Sequence, residues 1–316
     1  MWPVFADPKT DFVFKRIFGT EPNKHLLIEL LNALLELEGE QRIADLTYLS
    51  PEQRVPVAEL KLSIVDVKCR DQAGREYVVE MQLLNVEAFE KRVVYNVSKS
   101  YVMQIHSGEH YLELSDVIGV TICDFELWPT PPQPGGPPVP MLSRWRMQEQ
   151  NHGALALSQV QYVFLELPKY TNGAAAETTV ERWAHFFRVA ESLDVVPPEL
   201  AQEPFRTALE QARTASFTTA EWDAYDRAKI AEQDARGAIS LAERQGEVRG
   251  EARGEVRGFA RGHTQGLAEG LRRSIEEVCE LLAIPLDPSR RAEIGTMSLD
   301  QLETLLARLK RERRWG

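Results

Sequence analysis

Lys61-Leu-Ser-Ile-Val-Asp66-Val-Lys68-Cys-Arg-Asp71-Gln-Ala-Gly74-Arg-Glu-Tyr77-Val-Val-Glu80-Met-Gln82 holds two short runs of β-branched and aromatic residues around the turn cluster Asp71 to Gly74. It reads as a β-hairpin. Side chains alternate between faces along a strand, so Asp66 shares a face with Lys68, and Glu80 shares one with Gln82. A turn centred near Ala73 sets Asp66 opposite Glu80. Like charges directly opposite destabilise a strand pair, and a divalent cation is the simplest compensation. Apolar residues point to both faces: Ile64, Val65 and Val67 on one run, Val78, Val79 and Met81 on the other. A charge on a sheet buried on both faces is costly unless it is paired or bound to metal. A solvated strand face or a structural ion pair would account for the same residues, and spacing alone does not choose between these readings.

Outward from the hairpin, the periodicity alternates between helix and strand. Phe12, Ile17 and Phe18, then Leu26, Leu27, Leu30, Leu31, Leu34 and Leu35, predict helix over 11–36 with a break at Gly19 to Asn23. Val93, Val97, Tyr101 and Ile105 predict helix over 87–107. Asp116 to Trp128 is nearly continuous in apolar residues, as in a buried central strand. Pro129 to Pro140 is a Pro/Gly-rich loop. Leu142 to Gln148 and Gln161 to Leu167 read as strands, and Thr178 to Leu193 as a helix bearing Trp183, Phe186 and Phe187. Thr218 and Glu221 have the spacing of a capping box for a helix through Trp222 and Tyr225. This order predicts an α/β domain over 1–194, a helical connector over 195–240 and a tail over 241–316.

The tail carries Gly246, Gly250, Gly254, Gly258, Gly262, Gly266 and Gly270, one every fourth residue. Glycine costs about 1 kcal/mol in a helix interior relative to alanine. As a helix, the segment stacks Glu247, Glu251 and Glu255 in one column and Arg249, Arg253, Arg257 and Arg261 in another. Like charges four apart repel, and pairing with a second chain would relieve both columns. The 246–270 repeat is therefore expected to form a homo-oligomer helix; a flexible tether is the competing expectation. Ile275 to Leu282 and Leu299 to Leu309 read as two short packing helices, the second capped by Ser298 and Gln301. The basic end, Arg308 to Trp315, reads as a solvated helix terminus rather than a nucleic-acid arm.

The 316 residues carry a formal net charge of −11, with 43% apolar and 27% charged side chains. That composition is ordinary for a soluble globular protein. It excludes a generally cationic surface, so contact with nucleic acid would need a local basic patch. Three scattered cysteines, Cys69, Cys123 and Cys279, show neither metal spacing nor a disulfide framework, which predicts a reducing cytoplasm. No membrane span and no signal peptide is expected.

Together these segments resemble the Rpn family of recombination-promoting nucleases and transposase-like proteins, within the PD-(D/E)XK nuclease superfamily. Asp7-Pro-Lys-Thr-Asp11-Phe-Val-Phe-Lys15-Arg-Ile-Phe18-Gly19 resembles its opening motif, and Asn23 to Asn32 its next helix. Asp66 with Glu80-Met-Gln82 resembles its catalytic hairpin, and Lys91-Arg92-Val-Val-Tyr95 with Tyr101, Gly108 and Tyr111 the helix beyond. Glu166-Leu-Pro-Lys169 is similar to a late strand motif, and the glycine ladder to the tails of such proteins. The resemblance implies a restriction-endonuclease-like core, a mixed central sheet flanked by helices, and a DNA endonuclease using Mg²⁺, or Mn²⁺ in its place. It implies Asp66 and Glu80 as metal ligands, with the Met81 backbone carbonyl as a third oxygen. Gln82 stands where the superfamily most often has lysine, and Lys68 is the candidate substitute. Asp11, Lys15, Arg92 and Tyr95 are accessory candidates, with Asp11 and Lys15 spaced for an ordinary ion pair and Tyr95 equally placed for the core. Lys9, Arg16, Lys24, Lys91 and Lys99 could add to a local basic patch. A catalytically silent DNA-binding or assembly protein, and a transposase, are the other functions the resemblance admits. No integrase-like helix-turn-helix is evident in the sequence.

Overall fold

A computed structural model describes residues 3–53, 63–129, 131 and 135–315. Lys61 and Leu62 of the hairpin stretch, and part of the 129–140 loop, lie outside them. The first helix, α1 (Asp11–Phe18), buries Val13, Phe14, Ile17 and Phe18. It ends at Gly19, and a short 3-10 turn (Glu21–Asn23) leads into α2 (Lys24–Leu35). The expected break therefore falls where glycine and proline interrupt the apolar pattern. α2 stops at Glu36, which adopts a left-handed conformation with φ of 52°.

Strands β1 (Leu46–Leu49), β2 (Glu52–Gln53) and β3 (Ser63–Ile64) follow, then the expected hairpin of β4 (Val67–Asp71) and β5 (Glu76–Gln82). Asp71 Oδ1 accepts from the Ala73 and Arg75 backbone N–H groups, and Gly74 takes φ of 89° to close the turn. Helix α3 (Phe89–Val102) is shorter at its C-terminal end than the expected 87–107. Strand β6 (Val117–Cys123) ends well before Trp128, because the backbone turns at Asp124. Strands β7 (Leu142–Gln148) and β8 (Ala156–Glu166) form the next hairpin, and β8 begins earlier than expected. Helix α4 (Thr179–Val189) carries a full capping box between Thr178 and Glu181.

Six strands form one sheet in the order β1-β4-β5-β6-β8-β7, and β2 and β3 pair separately. The contacts β5–β6 and β6–β8 are parallel; β1–β4, β4–β5 and β7–β8 are antiparallel. This is the mixed sheet flanked by helices that the resemblance implies. Alternation sorts the layers. Val67, Cys69, Tyr77, Val79 and Met81 pack with α1, α2 and α4, while Val78, Val117 and Phe164 pack with Phe89, Val93 and Val97 of α3.

Helix α5 (Phe205–Gln211) follows, and Phe205, Leu209, Phe217 and Tyr225 join the first of these cores. The chain divides into the units Met1–Arg236 and Gly237–Gly316, so the boundary read at 194 falls inside the first unit. Burial of the aromatic residues beyond it is the reason. Thr218 and Glu221 cap each other at the start of α6 (Thr219–Leu281), which runs unbroken through the glycine ladder. Ile275 to Leu282 is consequently not a separate helix: nothing after Gly270 terminates α6 before Leu281. The second unit adds α7 (Pro288–Thr296), which the periodicity did not reveal, and α8 (Leu299–Glu312) with the expected Ser298–Gln301 capping box. Its own core is Ile275, Cys279, Ile294, Leu302, Leu305 and Leu309. No helix among the described residues is long and apolar enough to cross a membrane.

Candidate active site

The register of the hairpin decides which side chains meet. Val67 pairs with Val79 and Lys68 with Val78, so the next step brings Asp66, in the bend before β4, beside Glu80. Both line an open cleft of about 910 Å³ beneath α3. The cleft lies at the C-terminal end of β5, where open α/β sheets usually bind ligands.

Asp66 Oδ2 accepts from the Met81 backbone N–H at 2.8 Å. In a strand, a residue's N–H and C=O point to the same edge. The Met81 carbonyl therefore faces the Asp66 side, while Gln82 O accepts from Asp124 N on the β6 side. Glu80 is buried and accepts from Asn96 Nδ2 at 2.8 Å. Burial pushes the Asp66 carboxyl up to about 7; the Met81 N–H and Lys15 oppose this, and Asp11 and Glu80 add to it. Burial also raises Glu80, against the Asn96 hydrogen bond and the Arg92 charge.

The accessory residues divide. Lys15 Nζ lies 2.5 Å from Asp11 Oδ1 and 3.9 Å from Asp66 Oδ1, so both members of that pair stand beside the site. Arg92 donates to Gln82 Oε1, and Gln82 Nε2 donates to Leu84 O at 2.9 Å. Arg92, Lys91 and Tyr95 line the cleft. Tyr95 is 37% exposed and does not belong to the core. Lys68 is elsewhere: its ammonium sits 3.1 Å from Glu76 Oε2, and Glu76 also takes Arg70 at 2.6 Å and Ser100 at 2.9 Å. Burial favours protonation of Glu76, but Arg70 and Lys68 outweigh it and hold the carboxyl below its usual range. The structure does not bring Lys68 to the acidic pair, because this buried acid on the same sheet face takes it first. Lys9, Arg16 and Lys24 are likewise held by Asp124, Glu221 and Glu21 with Asp45. Glu166, from the late motif, is buried against Lys169 and the N–H groups of Leu127 and Trp128.

Sequence reading missed Asn96. Arg92, Asn96 and Ser100 recur every fourth residue on α3 and meet Gln82, Glu80 and Glu76 of β5 respectively. That polar column inside a helix buried through Phe89, Val93 and Val97 was the available signal. Among the described residues no three or more His, Cys, Asp or Glu side chains cluster as a metal site. A two-carboxylate set with a backbone oxygen nevertheless suits Mg²⁺, which keeps several waters and takes one or two carboxylates. The mutual repulsion of Asp66 and Glu80 in a desolvated position fits a cation between them.

A mixed sheet with paired acids at the end of a central strand, open to a cleft beneath a flanking helix, defines a nuclease-type α/β fold. Over residues 8–242 the chain matches the PD-(D/E)XK nuclease family transposase, and it belongs to that family. Comparison with curated proteins and with solved structures returns no match.

Proposed function

We propose that the chain is a DNA endonuclease that hydrolyses phosphodiester bonds with Mg²⁺ or Mn²⁺ held by Asp66, Glu80 and the Met81 carbonyl. The observation that carries this reading is the convergence of the two acids in one open cleft, where burial disfavours both ionised forms and the Glu80 charge adds to this at Asp66. When bound, the cation would supply Lewis acidity toward a phosphoryl oxygen and toward water.

The chain's own groups account for the rest. Asp66 is held by the Met81 N–H and Glu80 by Asn96, so neither carboxylate needs to reorient. With Lys68 committed to Glu76, positive charge for the phosphate comes from Arg92 and Lys91 along the cleft and from Lys15 beside Asp66. Gln82 is a neutral amide tethered by Arg92, so it orients the guanidinium rather than supplying charge. Tyr95 offers an exposed ring on which a base can stack, a contact worth about 1–3 kcal/mol in single-strand binding. These local cations reconcile a net charge of −11 with an anionic substrate.

Supercoiled plasmid incubated with the purified full chain tests this. Nicking that requires Mg²⁺ and vanishes in both Asp66→Ala and Glu80→Ala is expected. Equal nicking by all three proteins, or none by the unsubstituted chain under any divalent cation, overturns the proposal.

A further inference from the structure

The two amide atoms of Asn96 fare differently. The residue is 4% exposed; Nδ2 donates to Glu80 Oε1 at 2.8 Å, whereas Oδ1 is buried with no hydrogen-bond partner among the described residues. The orientation follows from chemistry. A carboxylate that holds a cation is ionised and only accepts hydrogen bonds, which matches the amide nitrogen facing Glu80 and the oxygen turning away. A buried acceptor left unpaired costs about 1–3 kcal/mol, and such orphans in native proteins call for a water or an ion. Asn96 lines the same cleft as Asp66, Glu80 and Met81.

The position is also a poor one for asparagine on helical grounds. It lies mid-helix, between Val93 and Val97, where an aliphatic residue would carry a higher helix propensity or a larger apolar contact. Ser100, one turn on, makes the matching bond to Glu76 and leaves no buried orphan. The unpaired oxygen is thus particular to the rung that holds the cleft acid.

Resting on the nuclease reading, we infer that Asn96 is a positioning residue of the cation site. Its Nδ2 occupies Glu80 Oε1, leaving Oε2 for the cation. Its Oδ1 accepts a hydrogen bond from a water that enters the cleft with the cation. Outer-shell partners of this kind typically change metal affinity about 10–100-fold when removed.

Mn²⁺ binding to the full chain, followed by water-proton relaxation enhancement, reads affinity and ordered water without any turnover. Asn96→Leu keeps the branched side-chain outline, with a larger volume, and removes both amide atoms. It is expected to weaken Mn²⁺ binding about 10–100-fold and to lower the enhancement per bound ion, with the metal-free Tm unchanged or raised. Asn96→Ser, which puts one small hydroxyl in place of the amide, gives an intermediate loss and supplies the readout should the leucine variant not fold. Asp66→Asn and Glu80→Gln are measured beside them. If both carboxylate variants lose binding while the Asn96 variants stay within twofold of the unsubstituted chain, the inference fails and the nuclease reading stands. A lower metal-free Tm with unaltered Mn²⁺ affinity likewise reduces Asn96 to a structural residue. If the unsubstituted chain binds no Mn²⁺, or the carboxylate variants bind as well as it does, the nuclease reading fails and takes the inference with it.

Discussion

Asp66 is held in a state that its own charge opposes. Burial lifts its carboxyl to about 7, and Asp11 and Glu80 act in the same direction, whereas an unfolded aspartate titrates near 3.9. Between those values the folded chain binds more protons than the unfolded one, so stability falls as pH rises through the window. Without metal, Asp66→Asn is therefore expected to stabilise the protein at pH 8. The side chain keeps 21% exposure, which trims the gain to about 1–2 kcal/mol, given 1.36 kcal/mol for each pKa unit. The gain should vanish below about pH 4, where both forms are neutral. Thermal melts in a chelator at the two pH values check this; a lower Tm for the variant at pH 8 contradicts it. Protons and cation compete for the same oxygens, so the rise in Tm on adding Mg²⁺ should be larger at pH 8 than at pH 6 in the unsubstituted chain and absent in the variant.

At the scale of elements, the site depends on how closely α3 lies on β5 and β6. Gly119 in β6 permits that approach, since a Cβ added there would overlap Val97 Cγ2 on the helix. Gly119→Ala is expected to cost about 1–3 kcal/mol, the usual range for overpacking. Because Val97 adjoins Asn96, it should also weaken Mn²⁺ binding. Urea unfolding and Mn²⁺ titration together check this, and a variant unchanged in both would show that α3 shifts without consequence. The same element explains what could be read in advance. The β4–β5 register was legible because Asp71 and Gly74 mark the turn and alternation does the rest, so Asp66 and Glu80 could be paired on paper. The partner of Lys68 was not, because three acids share that sheet face and only the packing of α3 decides that Ser100 and Lys68 both reach Glu76. Asn96 escaped for a related reason: a polar column on a helix ordinarily faces water, and here it faces a strand. The short edge strand β1 offered too few residues for a period. Phe205 and Tyr225 lie beyond the apparent end of the α/β pattern, yet tertiary burial draws them into its core.

For the molecule as a whole, the open question of the glycine ladder narrows to what covers it. α6 is helical through all seven glycines, and a Cβ at any of them would meet nothing within 4 Å among the described residues. Seven glycines in place of alanines cost the helix about 7 kcal/mol. Among the described residues the Glu247, Glu251, Glu255 and Arg249, Arg253, Arg257, Arg261 columns form no ion pairs. A second copy running alongside would set acid against base and let two backbones approach over the glycines, a use that would offset such a cost. Three substitutions separate this from an idle repeat. Gly250→Ala, Gly254→Ala and Gly258→Ala together should raise helicity by circular dichroism in either case, because each removes a helix-weakening residue. If the stripe is a close-packed contact between chains, the added methyl groups should also reduce self-association in sedimentation, and removing 241–316 should abolish it. Rising helicity with an unchanged assembly state would leave the helix as a spacer, and a monomeric full chain would remove the ladder from any account of oligomerisation.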